Sequence, residues 1–350
     1  MATANTFSEY KMFIKPIKSF MFFAGLWPVK NPCLFYRLVP TLMFALTLLS
    51  SCMIINFIVA HRSSILIMTQ GLGSAVTFIT LTLKTFYCDP NRRCVKALYE
   101  TLNPVTNELM NDPVMKNLIS GKLTTVRKLS TVLTCLILSS VLAYILTPII
   151  YIIYQYIHDI HPFKYRLVMP ARYPWSISGG SFLYFCHYTF EVISFFNCFV
   201  VTAGVDNYFM ACMFQMSWKL RAMSYQFRNL GHDANYDTAV HECIASYRML
   251  LKCRDNIEKI YGPLILWIFV SGAVILCAIV FQLSKIQSFS IVRICFFAFY
   301  MGARLLQLFI YTWSGTMLTS ESEKFRDAIY SSNWPATGQR RFMTSILIML

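Results

Sequence analysis

The residue types that usually carry chemistry are scattered through this sequence. The six histidines, His61, His158, His161, His187, His232 and His241, fall in no metal-binding pattern. His158 and His161 stand three apart, but no cysteine or carboxylate cluster completes a site around them. There is no His-Glu-x-x-His, no Gly-x-Ser-x-Gly and no phosphate-cradling glycine loop. No catalytic residue, cofactor or metal is therefore expected, and the chain does not read as an enzyme. Four charges lie inside apolar stretches, where charge is costly and tends to mark function: Glu191, Asp206, Arg293 and Arg304. Helical rise places Glu191 ~14 Å, Arg293 ~3 Å and Arg304 ~20 Å from the outer end of their stretches. An arginine can bridge part of either gap. Glu191 can thus pair with Arg293 or Arg304, or face a wet cavity while Arg293 snorkels outward. Asp206 reads as solvated near the inner face.

Aromatic and hydroxyl residues recur at helical spacing in the same apolar stretches. Tyr144, Thr147 and Tyr151 share one helix face, as do Phe185 with Tyr188 and Phe296 with Tyr300. Apolar walls with a few hydroxyls suit a small apolar ligand. Interfacial aromatic belts and plain helix packing give the same pattern.

Apolar runs of bilayer length must position these residues. The chain has 350 residues, 56% apolar and 13% charged, about half the usual charged share of a soluble domain. Membrane-spanning helices are expected at Leu38–Ala60, Ser64–Leu83, Thr131–Tyr154, Phe182–Trp218, Pro263–Leu283 and Ile291–Leu318, each at least long enough for ~30 Å of hydrocarbon. A seventh begins at Phe342 and reaches only Leu350, so the last helix reads as cut short and the chain as incomplete. The fold class is all-α, a polytopic membrane bundle.

The basic residues orient it. Lys and Arg total 24 in segments 1–37, 84–130, 219–262 and 319–341, against 5 in the alternate loops. The positive-inside rule puts the first set, and so the N-terminus, in the cytosol. That topology is opposite to a G-protein-coupled receptor, and Asp-Arg-Tyr and Asn-Pro-x-x-Tyr are missing from their expected places. The net charge of +15 has the same origin, since no basic stripe with stacking aromatics suggests nucleic acid. Few of the twelve cysteines fall in outside loops, so a disulfide framework is not expected. The absence of an internal repeat argues against a transporter built from inverted halves.

The chain divides into an N-terminal cytoplasmic segment (1–37), a six-span bundle (38–318), a cytoplasmic segment (319–341) and the start of the last helix (342–350). Within the bundle, 84–130 and 219–262 extend into the cytosol. Apolar residues there recur at helical spacing in 91–103 and 240–261, as they do in 319–332, which predicts amphipathic helices packed in an intracellular layer.

The C-terminal third carries a signature. Gly315, Ser322, Ala328, Tyr330 and Trp334, with apolar Leu318 and Phe325 between them, resemble the insect odorant receptor family closely; only Thr316 departs, where Asn is common. Met169-Pro170 with Tyr173-Pro174-Trp175 resembles the family's loop between spans three and four. The stretch from His241 to Tyr261 resembles its helix entering span five. The resemblance implies an odorant-binding subunit of a ligand-gated, non-selective cation channel, paired with a shared co-receptor in a heterotetramer. It implies a pocket for a small volatile ligand in the outer half of the membrane, and a C-terminal signature that anchors subunits. It also implies a multi-pass place in the plasma membrane of a sensory neuron's dendrite, in contact with lipid and with no nucleic acid. A gustatory receptor of the same superfamily is the alternative.

Overall fold

Long apolar runs in this sequence fold into helices, because a chain without water must satisfy its backbone polar groups internally. The computed structural model describes residues 2–29, 31–175, 177–229, 236–285 and 291–331; the side chains of 2–6, 119, 236–237, 239 and 291–297 lie outside that description. Its elements are α1 (Ala2–Phe23), α2 (Leu34–Ala60), α3 (Ile65–Cys88), α4 (Arg92–Asn111), α5 (Pro113–Ile157), α6 (Phe182–Arg228), α7 (Tyr236–Ser284) and α8 (Ile291–Tyr330). Every regular element among the described residues is a helix. Five of them, carried on α2, α3, α5, α6 and α7, are long and apolar enough to cross a membrane. The sixth expected span lies on α8. The seventh, at 342–350, lies outside the described residues.

The helices that bear the spans are longer than a bilayer needs. α5, α6 and α7 run 45, 47 and 49 residues, roughly 70 Å each at 1.5 Å per residue. Their surplus gathers at the end of the bundle that carries α1 and α4, here termed the basic end. The α5–α6 connection, 158–181, closes the opposite end, the loop end.

α5 starts sharply because Asp112 caps it. Its carboxylate accepts from the Val114 amide at 2.8 Å, and Pro113 fills the first helical position. α6 is the central post. From Asn197 to Trp218 all but Thr202 are buried, as expected of a helix that is apolar all round. It packs against α8, α1, α5, α4, α3 and α2.

The structure moves several expected boundaries. α2 begins at Leu34, before Leu38. α3 continues past Leu83 to Cys88, so that Lys84 sits in a buried helix, not in a loop. α7 runs unbroken through Pro263, so the amphipathic stretch 240–261 and the span expected from Pro263 form one helix. Segment 84–130 resolves into the end of α3, all of α4 and the start of α5.

The N-terminal segment holds a helix that the sequence reading missed. α1 lies against α6 and α5 and reaches α4 through side chains. The Tyr10 hydroxyl accepts from Gln215 at 2.5 Å and donates to Asn103 at 3.2 Å. Lys18 bonds the Tyr99 hydroxyl, and Trp27 packs edge-on to Tyr99 and Tyr208.

Candidate functional site

Midway along the bundle, α3, α5, α6 and α8 leave a cavity of about 70 Å³. Period 3.6 brings its walls together. α3 contributes Thr77, Thr80 and Lys84 at spacings of three and four. α5 contributes Ile137, Ser140, Val141 and Tyr144; α6 contributes Phe195, Cys198 and Thr202; α8 contributes Tyr300, Ala303, Arg304 and Gln307. The Tyr144 and Phe195 rings stack at 5.0 Å. The lining therefore combines aromatic and aliphatic residues with polar ones.

The polar residues form a connected network. Lys84 and Asp206 form a fully buried ion pair at 2.6 Å. Asp206 also accepts from Gln307 at 2.7 Å and from the Tyr311 hydroxyl at 2.8 Å. The Gln307 amide turns its carbonyl to Arg304, which donates to it at 3.1 Å. Arg304 donates as well to the Thr77 hydroxyl. The Tyr300 hydroxyl lies 2.9 Å from that of Thr77 and 3.1 Å from the Gly73 carbonyl. Trp267 of α7 donates to Thr80 at 2.9 Å. Removing one partner of a buried ion pair costs about 3–5 kcal/mol, because the other charge is stranded. The network thus fixes α3, α6, α7 and α8 around the cavity.

One expectation for the charged residues is corrected here, and of the alternatives for Glu191 the pairing with Arg304 is not found. Asp206 is not solvated; it is wholly buried against Lys84, 122 residues away in sequence. Glu191 pairs with no arginine among the described residues. Its carboxylate accepts the Val168 and Met169 amides at 2.6 and 2.9 Å and the Tyr173 hydroxyl at 2.8 Å. It holds the α5–α6 connection onto the bundle. The backbone amides of that connection are nearer than Arg304, which is turned toward Thr77 and Gln307. Arg293 lies outside the described side chains.

The aromatic and hydroxyl set divides. Tyr144 and Tyr300 line the cavity. Tyr188 is not among the lining residues; it stacks on Tyr184 and donates to the Ile145 carbonyl at 2.9 Å. Tyr151 lies nearer the loop end, with the Arg166 guanidinium 4.2 Å over its ring. Thr147 and Phe185 are exposed on the outside of the bundle. Phe296 lies outside the described side chains. In the C-terminal signature Ala328 is buried, Gly315 and Ser322 are half-buried, Tyr330 is exposed and Trp334 lies outside the described residues. Lys84 and Gln307 were missed as wall residues. The signal for Lys84 was its place on the Thr77–Thr80 face of one helix.

A family model described as 7tm Odorant receptor matches residues 64–350. Odorant receptor 82a of Drosophila melanogaster is 26% identical over 193 residues, covering 53% of this chain and 48% of that protein. Putative odorant receptor 98b of the same fly is 26% identical over 210 residues, 57% and 51% of the two chains. This chain thus spans about half the length of both. Odorant receptor 9a matches more broadly, 24% identical over 291 residues, 81% of this chain and 72% of that one. Among solved structures, the insect olfactory receptor OR5 from Machilis hrabei superposes with a TM-score of 0.79 at 13% identity, covering 98% of this chain and 89% of that one. Its complex with eugenol gives 0.76 at 15% identity, over 97% and 87%. At such identities the likeness is one of fold. With the family model matched over most of the sequence and the apolar helices to span a bilayer, this chain belongs to the 7tm odorant receptor family as a multi-pass membrane protein.

Proposed function

We propose that this chain is the odorant-binding subunit of a ligand-gated cation channel. In this reading it works beside a shared co-receptor subunit in the plasma membrane of sensory dendrites. The observation that carries the proposal is the cavity among α3, α5, α6 and α8, part aromatic and part polar, in a family of odorant receptors rather than enzymes. A cavity at that depth suits a ligand that reaches it through or alongside lipid. The eugenol complex of the fold relative supports a small volatile as the ligand class. Of the residues proposed from sequence, Tyr144, Tyr300 and the intramembrane charge Arg304 are retained as ligand contacts, supported by their place on the cavity wall. Thr147 and Phe185 are better placed to meet lipid. The basic end is proposed to face the cytosol, supported by the 24-to-5 distribution of Lys and Arg. There the C-terminal signature is proposed to hold subunits together.

The test is dose–response of cation current in cells expressing the receptor with the family's co-receptor. Tyr144→Ala and Tyr300→Ala are expected to shift the half-maximal concentration of an active volatile by tenfold or more. Phe185→Ala, on the outer surface, is expected to leave it unchanged. Unaltered potency and ligand ranking in both cavity variants would overturn the assignment of the cavity.

A further inference from the structure

The cavity wall carries a cation that no carboxylate among the described residues pairs with. Asp206 is fully engaged: its carboxylate receives Lys84, Tyr311 and Gln307. Glu191 is engaged by the α5–α6 connection. Arg304 meets no carboxylate among the described residues: it donates to oxygens of Gln307 and Thr77 and lies over the Tyr300 ring, 5.5 Å from its centroid. These bonds use two of the five N–H groups that a guanidinium presents. Lys84 and Asp206 cancel, so the wall keeps one net positive charge, deep in a span where an unpaired charge is costly. The planar fork matches a carboxylate in a way that an alcohol or an alkene does not. The cavity lining also includes Ile137, Val141, Tyr144 and Phe195, contacts for a short apolar tail. At about 70 Å³ the cavity has roughly half the ~150 Å³ that accepts benzene in an apolar core.

We propose that the ligand of this site is a short-chain carboxylic acid, bound as its carboxylate on Arg304 with its alkyl tail against Tyr144 and Phe195. The inference rests on the cavity being the ligand site. It adds the chemical class and the residue that selects it. The ligand's carboxylate supplies the counter-ion that Arg304 lacks, and the Gln307 and Thr77 oxygens hold the guanidinium in position for it.

The purified full-length receptor in detergent at pH 7 is melted with sodium propionate and, separately, with 1-propanol. Ligand that binds only the folded state raises the melting temperature. Propionate is expected to stabilise the wild type more than 1-propanol at equal concentration. Arg304→Gln is expected to weaken propionate binding at least tenfold and to leave the 1-propanol shift in place. Arg304→Lys, which keeps the charge without the fork, is expected to fall between. Ala303→Leu, which fills the cavity and leaves Arg304 intact, is expected to abolish both shifts and keeps the test decisive if Arg304→Gln does not fold. Stabilisation by 1-propanol but not propionate, or a propionate shift that survives Arg304→Gln, would overturn the inference and leave the cavity reading standing. Shifts that survive Ala303→Leu, or no shift from either compound, would overturn both.

Discussion

At the scale of single residues, two carboxylates show how burial is made tolerable. Glu191 was legible as an informative intramembrane charge, but its partners were not. Backbone amides of a connecting segment leave no mark in sequence periodicity, and only the folded path of 168–173 brings them to the carboxylate. Glu321, on the basic end of α8, receives Arg221 at 2.6 Å, Lys122 at 2.8 Å and Lys324 at 3.4 Å. Burial alone would raise its pKa, but hydrogen bonds and charge from Arg221 and then Lys122 outweigh it and lower the carboxyl from 4.5 to about 2. A carboxyl depressed in the folded state stabilises fully above its unfolded pKa, and that contribution is lost as pH falls. The melting temperature of the receptor is therefore expected to drop between pH 4.5 and 2, with a shallower drop in Glu321→Gln. Equal slopes for the two proteins, followed in acid-stable detergent, would show that the three cations do not hold Glu321.

At the scale of elements, the spans were legible because hydrocarbon demands a long apolar run, and six such runs stand out. Their ends were not. The α3 apolar run stops at Leu83, yet the helix carries Lys84 inward because Asp206 is there to receive it. The pairing is between helices far apart in sequence, which no local pattern records. α1 was overlooked because its segment looked polar and broken; Pro16 lies within the helix. Its fit depends on a close approach to α6 at Gly204. A Cβ there would stand 3.2 Å from the Met21 backbone nitrogen and 3.3 Å from the Phe20 Cβ, and backbone does not yield as a side-chain tip does. Gly204→Val is therefore expected to push α1 off α6 and destabilise the receptor by about 1–3 kcal/mol. Hydrogen exchange should rise across residues 7–23. Unchanged exchange there would mean that α1 does not depend on this contact.

At the scale of the whole molecule, the all-helical bundle and its family were legible in the C-terminal signature and in the apolar runs. The cavity was only half legible. Tyr144 and Tyr300 fell on faces that helical spacing could mark, whereas Lys84, Gln307 and Ala303 become wall residues only when four helices meet. The proposed orientation follows from charge alone and has a direct check. A tag at residue 1 is expected to be reachable by antibody only after the cell is permeabilised, and a tag within 161–173 without permeabilisation. The reverse labelling would refute it. The central claim is that the ligand occupies the space enclosed by α3, α5, α6 and α8. It is tested most directly by a cryo-electron-microscopy map of the receptor with a ligand that evokes current, compared with a map without ligand. New density is expected between Tyr144, Phe195, Tyr300 and Arg304. Ligand density elsewhere in the bundle, with this cavity unchanged between the two maps, would contradict it.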